Sequence, residues 1–135
     1  MAYTFDENIV SDLHKDAYGF RPTSGWWDCW HYQDNDGKQA AWNTLLDDLE
    51  RSIARERREE ADAMIALHQR IQGVMLLGAK DEVQALKWIM QAEEFDDHDL
   101  RYGPSYFCYR FGLSYSAEKE LPIQEAINEM LSEVV

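Results

Sequence analysis

The side chains best suited to chemistry in this chain are two cysteines and four histidines set among twenty-six carboxylates. Cys29 and His31 stand too close together for a zinc pattern, and only His14 or Cys108 could complete a tetrahedral set from elsewhere in the chain. Asp34, Asp36 and Gly37 match the third, fifth and sixth positions of a calcium loop. The first position would be Tyr32 and the twelfth Asn43, so two key ligands are wrong. Asp96, Asp97, His98 and Asp99 form a chelating run, which reads more simply as a solvated helix end. Phosphate-binding loops, nucleophile elbows, metalloprotease helices and dinucleotide fingerprints are all missing. The residues therefore predict no catalytic set, no cofactor and no metal, and they lean against an enzyme. The two cysteines read as free thiols, because two alone make no disulfide framework.

The densest aromatic patch is Trp26, Trp27, Trp30 and Tyr32. Such residues bring large apolar area with a polar handle and serve well as anchors for a protein partner. Packing against Trp42 is the competing reading and the favoured one, since three exposed Trp together invite aggregation. Base stacking is disfavoured: it calls for a positively charged groove, and residues 22 to 37 contain no Lys or Arg.

These residues must be positioned by helices. Thr4 and Glu7 have the form of a capping box for a helix from about Asp6 to Ala17, with Ile9, Val10, Leu13 and Ala17 on one face and Gly19 as its stop. Residues 18–36 hold Pro22, Gly25 and six aromatics without a helical or alternating period, and read as an ordered aromatic-rich loop. From Lys38 to Gln72 there is no Gly or Pro, and helix formers dominate, with Asp36 and Gln39 as a second apparent capping box. This predicts a long helix over about 38–76. From Gln39 to Met75, at 1.5 Å per residue, it would extend about 55 Å. Trp42, Leu45, Leu46, Leu49 and Ile53 form one apolar stripe, and Met64, Ile65, Leu67, His68, Ile71 and Met75 another. Between them ARERREEADA, residues 54 to 63, reads as solvated, with Asp47–Arg51 and Arg58–Asp62 as spacing-four pairs.

Gly73 and Gly78 mark a turn, followed by a helix from about Asp81 to Glu94. Pro104 and Gly112 bracket a run that favours a short helix over a strand. Pro122 opens an amphipathic helix with Ile123, Ala126, Ile127, Met130, Leu131 and Val134 inward and Glu125, Glu129 and Glu133 outward. The fold class expected is mainly α: one domain over 1–135, a long helix with three or four shorter packing helices, C-terminal helices over about 81–135, and little or no β.

A net charge of −13 repels phosphate backbones and anionic lipid, which makes direct nucleic-acid binding unfavourable and points to a partner with a basic surface. The acidity sits at the ends: residues 1–50 carry net −7, 51–80 net +2 and 81–135 net −8. A rod imitating duplex DNA over 55 Å would want about 32 negative charges. From Gln39 to Met75 the long helix has seven acids against five bases and is a poor mimic. A local acidic face remains, built from Glu93, Glu94, Asp96, Asp97 and Asp99 with the line Glu125, Glu129 and Glu133. The chain has no run of 18 apolar residues and no basic-then-apolar leader pattern, so no membrane association is expected and the cytoplasm is the expected compartment.

The run Leu13 to Pro22, LHKDAYGFRP, resembles the opening of a class of small proteins encoded by tailed bacteriophages. As in that class, an aromatic segment leads into a long Arg/Glu-rich helix. An A-x-x-W-x-x-x-A-E segment follows at Ala85, Trp88, Ala92 and Glu93, then Y-F-C-Y-x-x-G-L at Tyr106 to Leu113. The resemblance implies a phage accessory protein acting in the host bacterial cytoplasm and carries over no catalytic or ligand residue. Three functional readings follow. In the first, the protein binds a basic surface of a host nucleic-acid-binding or defence factor, with Trp26, Trp27, Trp30 and the acidic face as its contacts. In the second, it is a structural protein that self-associates as a homodimer through Arg55, Glu56, Arg57, Arg58, Glu59 and Glu60. The third is an enzyme or small-ligand binder using the aromatic loop with His14 or His31.

Overall fold

The computed structural model describes residues 2–133 and contains, among them, eight helices and no strand. The chain divides into two compact units, Met1–Arg57 and Arg58–Val135, each with its own apolar core. The single-domain expectation has to be set beside this division: α3 (Asn35–Leu76) belongs to both units, supplying Trp42 and Leu45 to the first core and Leu67 and Ile71 to the second.

In the first unit, α1 (Val10–Tyr18) turns Val10, Leu13, His14 and Ala17 inward. That spacing, three, one and three, is one face of a helix. It ends at Gly19, whose φ of 88° is left-handed and whose N–H reaches the Lys15 carbonyl at 2.7 Å. The expected start at Asp6 is wrong. Thr4 does not cap this helix: its backbone N–H donates to Gln39 Oε1 at 2.7 Å, and its hydroxyl accepts from Gln39 Nε2 at 2.8 Å. Gln39 is thereby withdrawn from its own expected capping box. Asp34, not Asp36, caps α3, its Oδ1 accepting from the Gly37 N–H at 2.8 Å, and the helix opens three residues earlier than expected.

The segment read as an aromatic loop over 18–36 is itself largely helical. Its centre is α2 (Ser24–Tyr32), with Thr23 as N-cap and its hydroxyl accepting from the Trp26 N–H at 3.3 Å. Gly25 looked like a turn marker but lies in the first turn of this helix, where its lost chain entropy is offset by the tryptophans packing behind it. The core here is Val10, Leu13, Trp30, Trp42 and Leu45, with Phe5, Trp26, Trp27 and Leu49 against it. Leu46 and Ile53 of the first expected stripe are exposed.

α3 runs unbroken through residues 54 to 63. Gly73 lies inside it; the reversal falls at Gly78, with φ of 129°. Leu67 and Ile71 of the second stripe are buried, whereas Ile65 and His68 are exposed. Neither expected spacing-four pair forms: Arg51 meets Asp48 at 3.0 Å instead, and Arg58 makes no ion pair among the described residues.

The second unit adds five helices: α4 (Glu82–Ala92), α5 (Asp97–Arg101), α6 (Pro104–Phe111), α7 (Ala117–Glu120) and α8 (Ile123–Glu133). Seven helices therefore accompany α3, not three or four, because α2 and the short α5 and α7 were not separated by any strong sequence signal. The helical reading of 104–113 holds, with Pro104 at the first turn and Gly112 left-handed at φ 69°. Asp81 caps α4 through the Gln84 N–H. α4 packs along α8, burying Leu86, Ile89 and Met90 with Ile123, Ile127 and Met130, and Phe107 and Cys108 of α6 complete the core. Val134, expected on the inward face of α8, lies outside the described residues.

Phe107→Ala is expected to lower the unfolding free energy by about 3–5 kcal/mol, since a fully buried ring leaves a cavity. Asp34→Ala should cost about 1 kcal/mol through the lost cap. Urea titrations followed by circular dichroism measure both. A smaller loss for Phe107→Ala than for Asp34→Ala contradicts the assignment of Phe107 to the core.

Candidate functional site

Most residues that looked chemically poised are occupied in holding the fold. His14 is buried, and its Nδ1 lies 2.7 Å from the Phe20 carbonyl oxygen, so Nδ1–H is the donor there. Its ring meets Tyr18, Phe20 and Trp26 edge-on, at 4.8, 5.3 and 5.5 Å between centroids. This is a packed structural histidine, not a base facing a substrate. Asp36 accepts from the Tyr3 hydroxyl at 2.7 Å, which together with the Asp34 cap accounts for the calcium-like spelling. Among the described residues no three His, Cys, Asp or Glu side chains converge as a metal-binding group.

The tryptophans behave as the packing reading expected. Trp30 is 1% exposed at the centre of the first core, stacked on Trp26 at 5.4 Å. Trp26 and Trp27 are half-buried and meet edge-on at 5.1 Å, and Trp27 stacks on the exposed His31. Trp30 is thus closed to a partner in this conformation, while Trp26 and Trp27 remain partly accessible.

The acidic face is also partly consumed. Glu93 is held by Arg70 at 2.7 Å and by Arg110 at 3.8 Å. Asp96 and Asp99 form a reciprocal capping box on α5, at 2.8 and 3.1 Å. Lys87 on α4 reaches across to Glu129 at 3.6 Å and to Glu133 on α8. The hydrogen bond from Lys87 to Glu133 raises the lysine above its ordinary range, with the charges of both glutamates adding to it. Glu94, Asp97 and Glu125 remain exposed and make no ion pair among the described residues. The charges from Arg55 to Glu60 likewise make none; Glu60 is half-buried and the other five are exposed.

A polar hollow in the first unit, about 410 Å³, is lined by Tyr18, Asp48, Arg51, Ser52 and Arg55. Asp48 already takes the Tyr18 hydroxyl and the Arg51 guanidinium, and the hydrogen bond to Asp48 raises Tyr18 above the usual phenol range. Tyr18, Asp48 and Arg51 are thus engaged with one another, while Arg55 makes no ion pair to a described residue.

The surface that sequence reasoning missed lies in the second unit. Tyr102, Ser105, Tyr106 and Tyr115 line a shallow concavity of about 390 Å³. Beside it, Glu60, Tyr109, Gly112, Leu113, Ser114 and Tyr115 line another of about 290 Å³, with Cys108 at its floor. Tyr115 borders both. The rings form a row, Tyr102 to Tyr106 at 5.5 Å and Tyr106 to Tyr109 at 6.3 Å. Tyr106 is fixed by Arg110, which donates to its hydroxyl at 3.3 Å and to the Glu93 carbonyl at 3.2 Å while lying 4.8 Å from the Phe95 ring. That triple anchorage gives one wall of the surface a defined orientation. The signal was present: positions 102, 106 and 109 recur at helical spacing, beside the buried pair Phe107 and Cys108.

No family model matches the chain, nor does any curated protein or any solved structure. No described helix is long and apolar enough to cross a membrane.

The two thiols differ sharply in setting. Cys29 is exposed on α2; Cys108 is buried, and burial pushes its thiol up, with the charge of Glu118 adding to that. In the folded protein a thiol reagent at pH 8 is expected to modify Cys29 within minutes and Cys108 only after denaturant is added. Equal rates at the two positions would contradict the closed floor beneath Tyr109.

Proposed function

We propose that this chain is an acidic phage accessory protein that acts in the host bacterial cytoplasm by protein–protein binding, blocking a basic surface on a nucleic-acid-binding or defence factor. The observation that carries the reading is the pairing, within one unit, of unengaged carboxylates at Glu94 and Asp97 with exposed tyrosines at 102, 109 and 115. Carboxylates steer a basic partner and raise the association rate, and aromatic side chains supply the buried contacts that slow dissociation. The net charge of −13 makes a nucleic-acid ligand unfavourable. The phage origin rests on the resemblance carried by Leu13 to Pro22 and by the segments at 85–93 and 106–113.

Tagged protein incubated with bacterial lysate should retain a specific basic protein that moderate salt releases, because the steering charges are screened within about 8 Å at physiological ionic strength. Neutralising Glu94, Asp97 and Glu125 together should slow association while leaving the fold intact, whereas neutralising Glu93 should also loosen Arg70 and Arg110. Abundant tagged protein that captures nothing, or a captured partner indifferent to salt, counts against the reading.

A second reading is favoured by the charges between Arg55 and Glu60, which have no ion-pair partners among the described residues and are free to meet those of another copy. In a self-associating protein, light scattering gives a dimer mass at micromolar concentration, and Arg55→Glu with Arg58→Glu shifts it to the monomer. A monomer mass throughout that range removes this reading.

A further inference from the structure

Within the second unit, four tyrosines do something that core tyrosines do not. Tyr102, Tyr109 and Tyr115 are 58, 73 and 64% exposed, and none of their hydroxyls makes a hydrogen bond to a described residue. An exposed tyrosine in isolation is unremarkable. Here three free hydroxyls and four rings border two concavities that share one lining side chain, Tyr115.

We infer that the groove formed by Tyr102, Tyr106, Tyr109 and Tyr115 binds a proline-rich, basic peptide segment in the polyproline II conformation. The inference deepens the protein-binding reading above by naming the class of segment that the partner presents.

The shape argument comes first. A polyproline II segment has three residues per turn and rises about 3.1 Å per residue, so its side chains form ridges about 9 Å apart that suit two shallow hollows side by side. The tyrosine row, with successive centroids at 5.5 and 6.3 Å, spans at most the length of about four such residues. Proline rings pack on aromatic faces. The segment's carbonyls have no partners of their own, and the free tyrosine hydroxyls can donate to them. A preformed segment also loses little chain entropy on binding, so a shallow site suffices.

Charge selects the segment further. Between Glu93 and Glu120 there are seven carboxylates and three bases, and one of those bases, Arg110, is already committed to Tyr106 and Glu93. Glu60 lines the second hollow, half-buried and without an ion pair to a described residue. Arginine or lysine beside the prolines would meet Glu60 in the second hollow. An acidic or neutral proline-rich segment lacks that match, and a small uncharged ligand would leave the row of rings largely uncovered.

The test titrates the full isotope-labelled chain with a synthetic peptide of Pro-Pro-Leu-Pro repeats flanked by arginines, read by amide chemical shifts. Two comparison peptides have every proline replaced by alanine, or every arginine by alanine. Saturable shifts confined to residues around 102–115 with the parent peptide are expected, weaker binding without arginine, and none without proline. Tyr109→Ala and Tyr115→Ala, both at exposed positions, should each weaken binding about tenfold at unchanged melting temperature. Equal binding of the proline-free peptide, shifts elsewhere, indifference to both tyrosine variants, or no binding at all overturns the inference. If the full chain still captures a basic host protein while no proline-rich peptide binds, the protein-binding reading stands and this one falls. Peptide binding without any captured host protein has the opposite meaning.

Discussion

One helix supplies side chains to both hydrophobic cores, and that constraint governs the rest of the molecule. α3 offers Trp42 and Leu45 to the first and Leu67 and Ile71 to the second, with a run of charged residues between. Isolated helical propensity is weak and a helix nucleus is costly, so residues 54 to 63 would be marginal by themselves. They are helical here because packed turns on either side have already met the nucleation cost. The charged run can then remain hydrated without breaking the hydrogen-bond ladder, and its side chains need no partners within the chain.

Three of the second unit's glutamates are engaged in holding it together. Lys87 straps α4 to α8 through Glu129 and Glu133, Arg70 ties α3 to Glu93, and Arg110 joins Glu93 to the ring of Tyr106. Ion pairs open to solvent contribute little to stability, so the value of these lies more in geometry. They orient the helices that present Tyr102, Tyr106 and Tyr109. Carboxylates left outside these pairs give the surface its field, while those inside fix the shape on which the field acts.

Much of the helical content could be read directly from the residues, and the errors have a common cause. α4, α6 and α8 were legible because Asp81, Pro104, Gly112 and Pro122 act on their own neighbours. The two apparent capping boxes at Thr4–Glu7 and Asp36–Gln39 failed because Thr4 and Gln39 bond each other across 35 positions. A short polar motif cannot announce which distant group will claim its side chains. α2 was hidden for a related reason: Gly25 is a poor helix former, and only the packing of Trp26 and Trp30 against Val10 and Trp42 overrides it. In the candidate surface, the spacing of Tyr102, Tyr106 and Tyr109 was visible, but which face of α6 looked outward depended on Phe107 filling a core assembled from five other helices.

The placement of the indoles has a practical corollary. Trp26, Trp27, Trp30 and Trp42 belong to the first unit, and Trp88 alone stands in the second, at 37% exposure. Intrinsic emission from this protein therefore reports chiefly on one half of it. The stacked pair at 5.4 Å is close enough to exchange excitation, and Trp30 is buried at 1% exposure, so the emission of a shielded indole belongs to that half. Loss of order around the tyrosine row would pass almost unseen by that signal, and an optical probe of the second unit has to be built around Trp88.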